Sequence, residues 1–131
     1  MPVATLSAMG IVLAVVASMV IGAAWFGMFA DQWTKALGKK KSEMKGAPMT
    51  YALQTVYALV TAYVLSHFVD YATADTLMEG AQTGFWIWLG FVATFTAGNT
   101  LWEGKHWDLW MINNGNYLLT LMAMGAILAV Y

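Results

Sequence analysis

Charge is confined to a few short stretches of this chain, and that distribution restricts the fold more than any other feature. The 13 charged residues, all Lys, Asp or Glu, lie between Asp31 and Asp108 and make up 10% of the sequence. They leave four uncharged runs, at positions 1–30, 46–69, 80–102 and 109–131. Crossing a hydrocarbon core of about 30 Å takes roughly 20 apolar residues in a helix. Because soluble domains carry about 25% charged residues, the sequence excludes an ordinary soluble globule.

The four runs predict an all-α integral membrane protein, a four-helix bundle that forms one transmembrane domain over residues 1–131. The expected spans are about 5–29, 49–70, 80–102 and 109–131. The connections are short, so we expect no extramembrane domain, and function must come from the helices and their loops. The first span lacks a basic amino-terminal region and is longer than a signal peptide's apolar core, so we expect a retained helix.

The lysines predict the orientation of the spans. Five of the six basic residues fall between the first two spans, and Lys105 falls between the last two. Lys-rich loops stay cytoplasmic. We therefore expect a multi-pass protein of the cell membrane (inner or plasma membrane), with loops 31–48 and 103–108 cytoplasmic and both termini outside. Anionic lipid headgroups are expected at the first loop, attracted by about 1 kcal/mol per lysine, at Lys39, Lys40, Lys41 and Lys45.

Small residues recur at intervals of four within the spans and predict close helix packing. Without a hydrophobic effect in lipid, helices associate where small residues let their backbones approach. A face that is not used inside the bundle would be available to a second copy. The predicted packing positions are Gly10, Ala14, Ser18 and Gly22 in the first span, and Gly90 and Gly98 in the third.

A short pattern occurs twice in the chain. The sequence W-x-G-x3-D-x-W begins at Trp25 and begins again at Trp102. Each copy lies at the predicted inner end of an odd-numbered span, which is consistent with two helical hairpins related as parallel repeats. The alternative is that any inner boundary favours Trp, Gly and an acidic helix cap. Asp31, Asp108 and the Thr76–Glu79 pair are predicted caps.

Polar residues within the predicted spans concentrate in the third and fourth. A polar side chain in lipid is costly unless paired, so it marks a helix contact or a cavity. Two interpretations stay open: interhelical hydrogen bonds of about 0.6–2 kcal/mol each, or a polar site that binds a ligand. The candidate residues, with one from the second span, are Gln54, Asn99, Glu103, His106, Asn113, Asn116 and Tyr117.

Catalytic and cofactor signatures are weak in this sequence. The chain has no cysteine, which excludes disulfides, thiolate nucleophiles and iron–sulfur clusters. Glu103, His106 and Asp108 could ligate a divalent metal, and methionines could ligate Cu(I), but solvated caps and core packing are the commoner roles. We expect no catalytic residue, metal or cofactor, and no nucleic-acid binding by the lysine run.

Three segments of the chain resemble the family called domain of unknown function 1761. They are Trp25-Phe26-Gly27-Met28-Phe29 followed by Trp33, the boundary from Asn99 to Gly104, and Ile112-Asn113-Asn114-Gly115. The resemblance covers most of the chain. It implies four transmembrane helices and no established activity.

These observations favour a non-enzymatic membrane protein that acts through helix contacts, as a homo-oligomer or as an accessory subunit of a membrane complex. The first alternative is a minimal transporter or channel with a polar cavity between spans two, three and four, lined in part by Gln54, Tyr57 and Glu103. Transporters usually place an ionisable residue near the membrane midplane, and the four runs hold no charged residue. A membrane enzyme that uses Glu103 and His106 is a third hypothesis.

Overall fold

The computed structural model describes residues 6–44 and 46–131, and no strand occurs among them. The prediction of an all-α chain is confirmed. A 3-10 turn covers Lys41–Met44, and a π-helical segment, Trp88–Ala93, joins α4 to α5. The α-helices are α1 (Ala8–Met28), α2 (Ala30–Leu37), α3 (Pro48–Tyr71), α4 (Leu77–Ile87), α5 (Thr94–Glu103) and α6 (Trp107–Val130).

Each of the four uncharged runs lies mainly in helix. Two helices among the described residues, α1 and α3, are long and apolar enough to cross a membrane. α6 has the same length as α3, 24 residues, but its cluster of asparagines lowers its apolar character. The third run is divided by the π segment into helices of 11 and 10 residues, although the backbone stays helical throughout.

Local sequence signals set several helix ends, among them the predicted Thr76–Glu79 cap. Pro48 occupies the first turn of α3. At the start of α4, the Thr76 hydroxyl accepts a hydrogen bond from the Glu79 N–H at 3.2 Å. The Glu79 carboxylate in return accepts from the Asp75 N–H at 3.3 Å. This reciprocal pairing resembles a capping box. The Glu79 carboxylate accepts from the N–H of Asp75, the residue before the N-cap, instead of from the N–H of Thr76.

The two predicted aspartate caps are wrong. α2 begins after Phe29 and α6 begins after His106, so Asp31 and Asp108 lie inside the first turn of each helix. Their negative charge still favours the positive end of the helix dipole, but neither side chain makes a capping bond. Asp31 instead forms an ion pair with Lys41.

α6 is the central helix of the structure. It packs against α1, α3 and α4, and it also contacts α2, the π segment and α5. The apolar core lies where α1, α3 and α6 meet. Its buried members are Ala14, Val15, Ala58, Ala62, Leu65, Val69, Leu121 and Met124.

The contact between α4 and α6 is made by glycines. A methyl group on Gly80 would overlap the carbonyl oxygen of Gly125, and one on Gly125 would overlap the carbonyl oxygen of Gly80. A methyl group on Gly84 would overlap the carbonyl oxygen of Leu121. The two backbones therefore touch, as small residues allow in closely packed helix pairs.

The predicted packing positions have mixed surroundings. Ala14 is fully buried in the core, Gly10 is buried next to Ser7 and Tyr131, and Ser18 is half-buried. A methyl group on Gly22, Gly90 or Gly98 would have no neighbour within 4 Å among the described residues. These three positions are therefore open towards the described part of the chain, and their packing against a second copy stays a prediction.

The two copies of the W-x-G-x3-D-x-W pattern have different surroundings. Gly27 lies inside α1, whereas Gly104 ends α5 in the left-handed conformation, with φ 66°. The Trp25 indole donates a hydrogen bond to the backbone of α6, while Trp102 is 88% exposed. Corresponding residues are therefore not in equivalent environments.

Candidate functional site

The predicted polar residues are distributed over α3, α5 and α6. Gln54, Asn99, Glu103 and His106 are exposed, and Asn113, Asn116 and Tyr117 are half-buried. The interactions made by this set are local: Asn116 accepts from Thr120 on the same helix at 3.4 Å, and Glu103 pairs with Lys105 at 2.9 Å. The structure thus shows no bond between Asn99 and the α6 amides within the described residues.

A different amide, Asn114, makes the interhelical contact. Its side chain is only 2% exposed. The Trp88 indole N–H donates to its Oδ1 at 3.1 Å. Its amide N–H groups donate to the Thr96 hydroxyl at 3.1 Å and to the Trp110 carbonyl at 3.0 Å. Asn114 therefore links α6 to both sides of the π segment.

Thr96 completes the network around Asn114. Its hydroxyl donates to the Val92 carbonyl at 2.6 Å and accepts from the Trp110 indole at 3.1 Å. The Trp110 indole also lies 3.3 Å from the Ala93 carbonyl. Each polar group of this cluster has a partner, which avoids the roughly 1–3 kcal/mol cost of a buried unpaired group. A fully paired network specifies one register of the two helices.

Two carbonyls of the π segment accept hydrogen bonds from side chains. Wider turns of this kind displace carbonyls from the regular hydrogen-bond ladder and recur at special sites in helices. Here the carbonyls of Val92 and Ala93, at the carboxyl end of the segment, receive the Thr96 hydroxyl and the Trp110 indole. The network contains no acidic, basic or imidazole side chain, and its indole, amide and hydroxyl groups connect α6 to the third run.

A second side chain joins α6 to α1. The Trp25 indole donates to the Ile112 carbonyl at 2.7 Å. Gly115 makes room for the ring, because a methyl group at this position would overlap the indole. Tryptophan side chains thus bond to α6 from α1 and from the π segment.

The helix phase could have identified Asn114 from the sequence. Asn113, Asn114 and Asn116 are alike in composition but point to different sides of a helix. Asn114 lies seven residues before Leu121 and eleven before Gly125, two spacings that return to the same helix face. All three are buried.

A cleft of 440 Å³, named here the basic-end cleft, lies between α2 and the start of α6. Its polar lining residues are Gln32, Lys35, His106 and Asp108, and its apolar ones are Phe29, Ala36, Met111 and Ile112. Within the described residues, the ion pairs found join other side chains, Lys41 to Asp31 and Lys105 to Glu103.

A second groove, of 480 Å³, lies at the opposite end between α3 and α4. It is lined by aromatic residues, including Phe68 and Trp86, and by Glu79. The hydrogen bonds of Glu79 with Asp75 and Thr76 lower the pKa of its carboxyl below 4.5, and the bond to Glu79, together with its negative charge, raises the pKa of Asp75 above 3.8. Asp75 and Glu79 thus serve the helix cap.

The other predicted binding residues lie at the basic end of the molecule. Lys39, Lys40 and Lys41 are exposed after α2, and Lys45 lies outside the described residues. Glu103, His106 and Asp108 do not converge, and no group of three His, Asp or Glu suited to a metal occurs in the described part of the chain.

Comparison with protein-family models matches residues 9–129 to the family described as "Protein of unknown function (DUF1761)". The match covers nearly the whole chain, and it confirms the resemblance seen in the sequence. No curated protein and no solved structure matches the chain.

Proposed function

The chain belongs to the DUF1761 family of proteins of unknown function, and we propose that it is a multi-pass membrane protein that acts through helix contacts. It would work as a homo-oligomer or as an accessory subunit of a larger membrane complex, without catalysis. The observation that carries this proposal is the distribution of large and small apolar residues between the outside and the inside of the structure.

Large apolar side chains cover the outside of the structure, and small ones fill much of its inside. On α1, Val12, Val16 and Val20 are exposed; Phe91 and Phe95 are exposed on the third run. Alanines at 14, 58 and 62 are among the buried core residues, beside larger ones such as Leu65 and Met124. Soluble monomers rarely expose apolar patches of this extent. In a bilayer this surface faces lipid, and small residues allow the helices to pack.

The hydroxyl groups on the exposed helix faces support the same environment. The side chains of Thr55, Thr61 and Thr94 each donate to the carbonyl four residues earlier, at 2.8–2.9 Å. A hydroxyl paired with its own helix needs no water. Such pairing suits side chains that face hydrocarbon, where every polar group must find a partner within the protein.

Charge at the two ends supports the proposed orientation. Lysines follow α2 and precede α6, while Asp70 and Asp75 lie at the connection between α3 and α4. The positive-inside rule then places the loops 31–48 and 103–108 in the cytoplasm and both termini outside.

The packed core favours helix contacts over transport. Ala14, Ala62 and Met124 have no exposed surface and fill the space where α1, α3 and α6 meet. Of the residues expected to line a transport cavity, Gln54, Tyr57 and Glu103 are exposed on the surface.

The first experiment is membrane fractionation of the full chain, followed by native mass measurement in a mild detergent. We expect the protein to stay in the membrane after alkaline carbonate treatment, and to migrate with a second copy or with another membrane protein. Extraction by carbonate would disprove membrane insertion. Monomers alone, with no co-purified protein, would disprove the role in helix contacts.

A matched pair of variants tests which face makes the contact. Gly22 and Gly27 are both open on α1, but only Gly22 lies at the open end of the small-residue face, whose other members Gly10 and Ala14 are buried inside the chain. We expect Gly22→Leu to reduce association and Gly27→Leu to leave it unchanged. Equal association of both variants with that of the unaltered chain would exclude this face.

A further inference from the structure

The basic-end cleft combines a cation and an anion that do not pair with each other. Lys35 comes from α2 and Asp108 from the first turn of α6, and both line the same space. The described residues supply neither side chain with an ion-pair partner. Unlike the exposed Lys39 and Lys40, which carry positive charge alone, this cleft therefore presents both signs across a gap.

Helical spacing builds the two walls of the cleft. Gln32, Lys35 and Ala36 share one face of α2 at intervals of three and four residues. Asp108, Met111 and Ile112 share one face of α6 at the same intervals. In each wall, polar side chains are therefore fixed next to apolar ones.

The apolar part of the lining continues into the bundle. Met111 and Ile112 belong to the uncharged run of α6, and Phe29 lies where α1 meets α2. A ligand that fills this cleft has a polar part for the charged groups and an apolar part for these side chains. A phospholipid at the membrane boundary has both parts.

We propose that the basic-end cleft binds a phospholipid with a phosphoethanolamine headgroup. The Lys35 ammonium and an N–H of the His106 imidazole donate to the phosphate, while the Asp108 carboxylate accepts from the headgroup ammonium. The first carbons of one acyl chain lie on Met111 and Ile112. This proposal rests on the proposed membrane location of the chain.

Charge complementarity selects this headgroup over the alternatives. A purely anionic headgroup would satisfy Lys35 but be repelled by Asp108. Phosphocholine also carries both signs, but its quaternary nitrogen has no N–H to donate to a carboxylate, whereas a primary ammonium has three. A carboxylate in the cleft therefore favours the ethanolamine headgroup.

The experiment is native mass spectrometry of the purified full chain with single phospholipids that differ only in headgroup. We expect phosphatidylethanolamine to bind about fivefold more tightly than phosphatidylcholine or phosphatidylglycerol, the ratio that one exposed ion pair can supply. Lys35→Gln should weaken binding of phosphatidylethanolamine about fivefold. The matched control Lys39→Gln removes the same charge outside the cleft and should leave this binding unchanged.

Asp108→Asn tests the headgroup assignment itself. We expect it to abolish the preference for ethanolamine over choline and to strengthen binding of phosphatidylglycerol, because the repulsive charge is gone. Equal effects of Lys35→Gln and Lys39→Gln, or an unchanged headgroup preference in Asp108→Asn, would overturn the proposal. Soluble phosphoethanolamine, which has no acyl chain, should bind more weakly than phosphatidylethanolamine. Equal affinity of the two would overturn the proposed contact of an acyl chain with Met111 and Ile112.

The two proposals fail in different measurements. Release of the chain by alkaline carbonate contradicts the membrane location, whereas equal binding of the three phospholipids to a membrane-embedded chain contradicts only the cleft assignment. Circular dichroism and thermal melting of the three variants, all at exposed positions, will show whether each retains its fold.

Discussion

Two groups of glycines in this chain differ in what lies opposite them. Gly80, Gly84 and Gly125 face the backbone of a neighbouring helix so closely that a methyl group would overlap it. Gly22 and Gly98 lie in equally regular helix but have no neighbour within 4 Å in the described chain. Both groups satisfy a small-residue pattern, so the pattern alone does not determine which glycines pack.

The difference shows what glycine spacing can establish. A four-residue interval places small residues on one helix face, but a contact also requires a second helix with a matching flat surface. Gly80 and Gly84 meet this condition because Gly125 lies opposite on α6. The open glycines would meet it only against another molecule.

The largest expected effect is that of Gly84→Ala. A methyl group there overlaps the Leu121 carbonyl, so α4 and α6 must separate and lose contact along their crossing. We expect a loss of about 2–3 kcal/mol in the free energy of unfolding, typical of overpacking. Reversible unfolding in mixed detergent micelles measures it.

Gly22→Ala is the matched control for that prediction. Its methyl group enters open space, and alanine has the better helix propensity, so we expect unchanged or slightly higher stability. If both variants lost a similar free energy of unfolding, the tight crossing of α4 and α6 would be no more sensitive to an added methyl group than an open glycine position.

The sequence predicted the fold better than the contacts within it. The absence of charge from four runs was enough to predict an all-α chain, and several helix ends coincide with breaking or capping residues such as Gly38, Pro48 and Gly104. The G-x-x-x-G pair of Gly80 and Gly84 can also be recognised in the sequence. The packing positions predicted for this span began at Gly90 and therefore did not include the pair. Which helix lies opposite is a property of the assembled fold.

The candidate site was predicted less well for a related reason. Amide composition on α6 left an interhelical hydrogen-bond network and a ligand site both open, and the predicted residues, Asn113 and Asn116, did not include Asn114. The partners of Asn114 are mainly tryptophan and threonine side chains. Their approach depends on the π segment, which no residue pattern in this chain predicts.

An intermediate effect is expected for Asn114→Ala, at the other end of the contact between α6 and the third run. The change leaves the Trp88 indole without its acceptor and removes one donor to the Thr96 hydroxyl. We expect a loss of about 1–2 kcal/mol in unfolding free energy, below that of Gly84→Ala. The long-wavelength edge of the tryptophan emission spectrum should shift, because the Trp88 indole N–H loses its hydrogen-bond acceptor.

Asn113→Ala provides the comparison for the polar connection. Asn113 is half-buried on another side of α6, and we expect a change within about 0.5 kcal/mol. If Asn113→Ala were as harmful as Asn114→Ala, the network would not be what connects these helices.

The smallest effect is expected at the cap that begins α4, one turn before the tight crossing. Thr76 fixes the start of this helix by accepting from the Glu79 N–H at 3.2 Å, and Gly80 follows directly. Thr76→Ala should cost about 1 kcal/mol, typical of a lost N-cap. Thr83→Ala removes a hydroxyl that bonds only to its own helix and should be close to neutral.

The titration of Glu79 separates loss of this cap from general loosening of the crossing. Hydrogen bonds from Asp75 and Thr76 lower the pKa of Glu79 below 4.5, so its contribution to stability is present above pH 4.5 and declines as the pH falls through the lowered pKa. The raised pKa of Asp75 has the opposite sign, since that contribution is present at low pH and declines as the pH rises through the raised pKa. Thr76→Ala should therefore raise the pKa of Glu79 towards 4.5 in a carboxyl NMR titration, while Gly84→Ala should leave it unchanged. An unshifted Glu79 pKa in Thr76→Ala would show that Asp75, and not the Thr76 hydroxyl, holds this carboxylate.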